Sequence, residues 1–84
     1  MKRVTLDCRG VTDARHLHEA LKEALGLPDW YGHNLDALFD CLTELDEETL
    51  LVLLGWKESA YSGGFELVFA DAAMENPVFT YTIV

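Results

Sequence analysis

The acidic residues of one helical segment are the first candidates for chemistry in this chain of 84 residues. In the stretch "WYGHNLDALFDCLTELDEE" (residues 30–48), Asp36, Asp40 and Glu44 are spaced i, i+4, i+8, so they line up on one face of a helix. Like charges at this spacing repel by about 0.2–0.5 kcal/mol per pair, which works against the helix that carries them. Paired carboxylates can serve as a general acid and base, and a rigid acidic face can bind Arg, Lys or protonated His.

The charge balance favours the binding interpretation. Six Lys and Arg residues against 15 Asp and Glu residues give a net charge of −9, and such a chain binds nucleic acid poorly because phosphates require a basic patch. No Lys or Arg occurs between Lys22 and Lys57, although solvated helix faces usually mix the two signs. Trp30, Tyr31 and Phe39 border the acidic row, and exposed aromatic residues beside a charged patch are typical interface anchors. We therefore predict a face that binds a positively charged protein.

A carboxylate hydrolase site and a histidine metal site are the alternatives to this interpretation. A carboxylate hydrolase built on Asp36 and Asp40 stays an alternative, but both residues are expected on the convex surface of one helix, whereas an active site needs a cleft. His16 and His18 are two apart on a helix and point to different faces, and His33 falls in a turn. With no Cys-x-x-Cys motif in the chain, we predict no metal site.

The cysteines and the apolar segments suggest where the protein resides. Cys8 and Cys41 form no disulfide framework and no nucleophile motif flanks them, so both are interpreted as small, reduced core residues. Asp7 and Arg9 interrupt any signal-peptide core near the start, and the longest apolar run, "LLVLLG", is too short to span a bilayer. We expect a soluble cytoplasmic protein without a cofactor.

The candidate face needs a helix, and the pattern of the chain predicts where that helix begins. Asn34 is a good N-cap residue, after the turn "DWYGHN". Apolar residues then recur with helical spacing on the side opposite the acidic row: Leu35, Leu38, Leu42 and Leu45. Phe39 falls at the border between the two faces.

The remaining segments predict a single α/β domain over residues 1–84. Residues 2–8 alternate as a strand, residues 49–55 are apolar throughout, as in a strand covered on both faces, and residues 78–84 are β-branched and aromatic. A first helix starts at Thr12 or Asp13 and ends at Gly26 and Pro28, "WKESAYSGG" reads as a loop, and a third helix follows over residues 65–76. The order β-α-α-β-α-β favours a three-stranded, mostly parallel sheet packed by three main helices.

One long motif resembles a known family. The segment "LHEALKEALGLPDWYGHNLDALFDCLT", 27 of the 84 residues, is similar to the signature segment of the barstar family of intracellular ribonuclease inhibitors, with its "YGxNLDAL" core. The resemblance implies a barstar-like fold, and a loop and second helix that plug the active site of a barnase-like microbial ribonuclease. It implies no catalytic activity and a protein that is a monomer when free.

The resemblance also assigns roles to residues. Asp40 would mimic an RNA phosphate, Asp36 would pair with basic residues at the edge of the same site, and Trp30 would pack on a catalytic histidine of the enzyme. The other implied partner-binding residues shape the loop, flank the central aspartate or lie on the third helix: Tyr31, Gly32, Asn34, Leu35, Phe39, Thr43, Val68 and Asp71.

The chain departs from the family pattern at three positions. Phe39 and Leu45 each stand where the family has a Trp, and Asp71 stands where it has a longer Glu. The loop around "KESAYSGG" is shorter, which implies the loss of an extra short helix. The alternative function is a non-inhibitory acidic interaction domain, such as a regulator or antitoxin, that uses the same fold to dock on another basic protein.

Overall fold

The computed structural model describes residues 1–58 and 62–84. Its strands are β1 (Lys2–Asp7), β2 (Thr49–Leu54) and β3 (Phe79–Ile83), and its helices are α1 (Ala14–Leu25), α2 (Leu35–Thr43) and α3 (Ser62–Glu75). A single 3-10 turn, Trp56–Glu58, follows β2. The element order β-α-α-β-α-β confirms the predicted fold class.

The sheet is parallel throughout, with the strands in the spatial order β1-β2-β3. Val52 at the centre of the middle strand lies in register with Thr5 on one side and Thr82 on the other. Parallel neighbours need long crossover connections, which here contain the helices. Both crossovers step across the sheet in the same direction, and connections of one hand then place their helices on one face of the sheet.

The middle strand shows the consequence of this one-sided layering. Leu51 and Leu53 belong to the core cluster that packs on the helices. Leu50 and Leu54 are only half-buried, and Val52 is buried outside that cluster. The prediction of a strand covered by other elements on both faces is therefore wrong for β2.

Capping residues define the helices much as their sequence indicates. The carboxylate of Asp13 accepts a hydrogen bond from the His16 amide at 2.7 Å and begins α1. Gly26 ends α1 in the left-handed region, at φ 66°, where glycine carries no Cβ penalty. Leu17, Leu21 and Leu25 of α1 are buried in the core.

Three boundaries differ from the predicted ones. The helix α2 ends at Thr43, so Glu44 is its C-cap residue and Leu45 lies beyond it, half-buried. The helix α3 starts at Ser62 rather than Phe65, and Trp56–Glu58 is helical, so the predicted loop is shorter at both ends. Residues 59–61 of that loop lie outside the described residues.

The core includes both thiols. Cys8 and Cys41 are buried and unpaired, which confirms their interpretation as reduced core residues. None of the described helices is long and apolar enough to cross a membrane.

Candidate partner-binding face

Asp36 and Asp40 of the acidic row lie on the rim of a groove rather than on an open convex surface, whereas Glu44 does not line this groove. The groove has a volume of about 510 Å³ and runs between α2 and α3. It is lined by Leu35, Asp36, Phe39, Asp40, Val68 and Asp71. The expectation of a convex surface is wrong because α3 packs alongside α2, which turns one helix face into one wall of a groove. All six lining residues belong to the site implied by the family resemblance.

Local packing explains why the two helices approach so closely at this point. Gly64, in the first turn of α3, has no side chain, and a Cβ there would lie 3.2 Å from the Leu35 Cδ1. Leu35 was predicted on the buried face of α2, but 37% of its surface is exposed at the mouth of the groove. Phe39 and Val68 are half-buried and pack against the core cluster. The groove therefore has an apolar floor.

Side chains from both ends fix α2 in place. The Asn34 side-chain oxygen accepts a hydrogen bond from the Ala37 amide at 2.8 Å and caps the N-terminus. At the other end, the Asn76 amide nitrogen donates to the carbonyl oxygens of Leu42, at 3.0 Å, and Leu45, at 2.9 Å. Asn76 comes from the residue after α3, so the two groove helices are also joined by hydrogen bonds. This side chain had no signal in the sequence, because its partners lie more than thirty residues away.

The chain places its cations away from the groove. Arg9 pairs with Asp7 at 2.9 Å and by hydrogen bonding holds the pKa of that carboxyl at about 2. Arg15 pairs with Glu19 at 3.2 Å, within α1. Within residues 1–58 and 62–84, no Lys, Arg or His forms an ion pair with a groove carboxylate. The groove carboxylates are thus exposed and have no internal counter-ion in this part of the chain.

The loop before α2 places its two aromatic residues in opposite environments. Trp30 is 71% exposed, as expected for an interface anchor. Tyr31 is only 3% exposed, so the prediction that its ring is an exposed anchor is wrong. Its hydroxyl shares a hydrogen bond with His18 Nδ1, and burial together with the nearby Cys41 thiol raises the pKa of Tyr31. Tyr31 holds the loop from beneath rather than presenting a surface to a partner.

The other implied site residues surround the groove without lining it. Gly32 adjoins the cap of α2, since a Cβ there would lie 3.0 Å from the Asn34 amide nitrogen. That nitrogen donates to the Gly32 carbonyl at 3.2 Å, so the Asn34 amide is already engaged within the loop. Thr43, in the last turn of α2, donates its hydroxyl hydrogen to the Asp40 carbonyl at 3.0 Å.

The histidines support the loop. His18 is buried, and burial followed by the proximity of His33 lowers its pKa below the usual 6.5. His33 adopts a positive φ of 51°, which is uncommon for a residue other than glycine. The sequence pattern predicted no role for either residue in positioning the loop. Within the described part of the chain, no group of three His, Cys, Asp or Glu residues could hold a metal ion.

Together, the parallel three-stranded sheet, the order of its helices and the acidic groove define a small α/β protein with a carboxylate-rimmed helical face. The chain belongs to the barstar family: the family described as "Barstar (barnase inhibitor)" matches residues 1–76.

A relative from Bacillus subtilis (strain 168) supports this membership. The chain is 39% identical over 75 residues to the protein named "Putative ribonuclease inhibitor YrdF", an alignment that covers 89% of this chain and 80% of the relative. Family and relative together point to a barnase-inhibitor-like role and to a non-catalytic protein.

Proposed function

We propose that this protein inhibits a basic, barnase-like microbial ribonuclease by inserting the α2 face and its preceding loop into the enzyme's active site, one inhibitor per enzyme. The observation that carries the proposal is the groove, whose Asp36, Asp40 and Asp71 carboxylates have no internal counter-ion in the described chain. A site that binds RNA phosphates must offer Arg, Lys or His, and a carboxylate on a rigid helix can occupy the place of a phosphate there.

The apolar floor strengthens the case for a protein partner. Phe39 and Val68 lie beneath the carboxylates, while Trp30 stands exposed on the adjoining loop. Arg side chains can lay their aliphatic stems on such a floor and still place the guanidinium at a carboxylate. The surface thus combines an aromatic anchor, an apolar patch and unpaired charge, which are the components of an interface hot spot.

Titration of the protein into a barnase-like ribonuclease during RNA cleavage tests the proposal. Cleavage should stop at one equivalent of inhibitor. The Asp40→Ala variant should bind more weakly by about 2–5 kcal/mol or more, because the enzyme's cations would stay buried and unpaired; the barnase–barstar pair is itself one of the complexes from which costs of this kind are known. Glu23→Ala is the matched control, since it removes one exposed carboxylate from α1 and leaves the groove intact.

Three results would contradict the proposal. Equal inhibition by Asp40→Ala and the parent protein would remove the groove from the mechanism. Tight binding that leaves RNA cleavage unchanged would favour the non-inhibitory interaction domain. Turnover of a small substrate that is lost in Asp36→Asn or Asp40→Asn would favour the hydrolase.

A further inference from the structure

The loop before α2 rests on a cluster of imidazole and phenol rings. His18 of α1 shares a hydrogen bond with the Tyr31 hydroxyl, and the two ring centroids are 5.7 Å apart. His33 contacts the same tyrosine: the ring centroids are 5.1 Å apart, and the His33 Nδ1 lies 3.1 Å from the Tyr31 carbonyl oxygen. The two imidazoles are themselves only 6.2 Å apart. The position of the loop therefore depends on a pair of histidines.

The surroundings of His18 offer little to balance a positive charge. Phe65 of α3 packs on the imidazole with a centroid separation of 4.8 Å, and the nearest titratable group that α2 contributes to the cluster is the buried Cys41 thiol. On α1 itself, Arg15 and Glu19 line the hollow outside His18, but they are paired with each other. A proton on His18 would place an uncompensated charge in a site that is 5% exposed.

His33 faces a more polar hollow. Glu19, Lys22 and Glu23 of α1 line it, and Lys22 also lies 4.0 Å from an Asp29 carboxylate oxygen. The His33 ring nevertheless lies 6.2 Å from the His18 ring, and both rings contact the same tyrosine. Charging both rings would therefore be opposed by their mutual repulsion.

We propose that His18 and His33 are positioning residues for the candidate partner-binding face, and that protonation of His18 within this cluster releases the loop carrying Trp30 and Gly32 and so weakens partner binding in acid. The binding consequence rests on the proposed function, whereas the loop release does not.

The closed and open arrangements of the loop differ in how readily His18 binds a proton, and this difference sets the direction of the pH effect. Burial and His33 keep the pKa of His18 below its usual 6.5 while the loop is closed. An open loop hydrates the ring and allows it to bind a proton at a higher pH. The closed arrangement is therefore fully stable above about pH 6.5 and loses stability as the pH falls below that value.

A pH titration of the free protein by amide and imidazole NMR between pH 8 and 5 tests the loop release directly. We expect the NMR signals of the residue 30–34 amides to change over the same pH range as those of the His18 ring. The signal of the Ala37 amide, which donates a hydrogen bond to the Asn34 cap, should change with them. Two variants remove one ring of the cluster each: His18→Gln, and His33→Asn, because Asn tolerates the positive φ at that position. His16→Gln is the control, since His16 is an exposed residue of the same helix.

In both test variants the change in the chemical shifts of the loop amides on acidification should be lost or reduced. In His16→Gln this change should persist. The proposal would be overturned if the chemical shifts of the loop amides did not change as His18 titrates. It would also be overturned if both test variants kept the full chemical-shift change of the parent protein. His33→Asn alters a half-buried residue and keeps the test decisive if His18→Gln fails to fold.

Affinity for the same ribonuclease at pH 7.5 and 5.5 then tests the consequence. The parent and His16→Gln should lose more affinity on acidification than His33→Asn, because that variant lacks one ring of the cluster that couples protonation of His18 to the loop. Titration of the enzyme's own groups is common to all variants and cancels in this comparison. If all variants lost the same amount of affinity between pH 7.5 and pH 5.5, the release of the loop would not be coupled to partner binding. Absence of binding at pH 7.5 would instead contradict the proposed function and leave the NMR result to decide the loop release.

Discussion

Asp40 carries a charge that the isolated protein would be more stable without. It lies four residues from Asp36 on α2, whereas Glu19 on α1 lies four residues from Arg15 and forms an ion pair with it. Asp36 lies in the first turn of α2, where the helix dipole favours a negative charge. Asp40 has no such compensation, so a role in binding explains its presence better than a role in folding.

Substitution of Asp40 by Asn should therefore stabilise the free protein while weakening its inhibition of the enzyme. Asn and Asp have similar helix propensities, so the substitution isolates the charge. We expect a gain of about 0.2–0.5 kcal/mol in the free energy of unfolding, measured by urea denaturation at low salt. Glu19→Gln should change stability by a similar amount in the opposite direction, because it breaks an attractive pair. Destabilisation by Asp40→Asn would show that this carboxylate supports the fold.

The two thiols should be unreactive in the folded protein. Burial is the main reason that the pKa of Cys8 rises to about 11 and that the pKa of Cys41 also rises, the latter with the help of Glu44 and Asp40. Since the thiolate is the reacting form, alkylation at pH 8 should be slow in buffer and fast in denaturant, as followed by mass spectrometry. Rapid modification of either cysteine under native conditions would contradict its place in the core.

At the scale of secondary structure, the end of α2 depends on a residue from outside the helix. The last turn contains no basic side chain and no glycine C-cap, and Glu44 occupies the cap position. Asn76 supplies the missing donors to the Leu42 and Leu45 carbonyls and accepts from the Val78 amide at 3.2 Å. One buried amide thus fixes α2, the end of α3 and the entry to β3.

The Asn76→Asp variant should consequently be destabilised by about 3 kcal/mol at pH 7, because a carboxylate of the same shape cannot donate to the two carbonyls and repels them. Asn76→Ala should cost less, since it removes the amide donors without adding a charge. The cost of Asn76→Asp should shrink toward pH 4, where a protonated carboxyl can donate one of the lost hydrogen bonds. Thermal unfolding of the three proteins across this pH range measures the effect, and equal stability of Asn76→Asp and the parent would refute the capping role.

Local patterns predicted the capped starts of α1 and α2 better than the end of α2 and the surroundings of Tyr31. Asp13 and Asn34 mark helix starts because a cap bonds within its own first turn. The end of α2 escaped prediction because Leu45 continues the apolar spacing, while the helix is closed by the distant Asn76. The buried state of Tyr31 likewise depends on His18 of another element, which no spacing rule contains.

At the scale of the whole molecule, strand order decides which surfaces are available. With the strands in the order β1-β2-β3, the helices share one face, so α2 and α3 become neighbours and form the groove. The sequence predicted three strands and three helices but not this one-sided layering, because strand order is a property of the assembled sheet. The groove that unites Asp40 with Asp71 follows from that arrangement and could be inferred beforehand only through the family resemblance.

The net charge of −9 acts on the molecule as a whole and leads to a kinetic prediction. A basic ribonuclease should be drawn toward the groove over distances comparable to the Debye length, which is about 10 Å at 0.1 M salt and about 3 Å at 1 M. The association rate should therefore fall steeply between low and high salt, while the dissociation rate changes little, because contacts already formed in the complex are shielded from the solvent ions. Stopped-flow mixing over this range measures both rates. Glu23→Ala should reduce the association rate slightly through the net charge alone, whereas Asp40→Ala should chiefly increase the dissociation rate. An association rate that does not depend on salt would mean that apolar contacts, rather than the acidic face, govern the encounter.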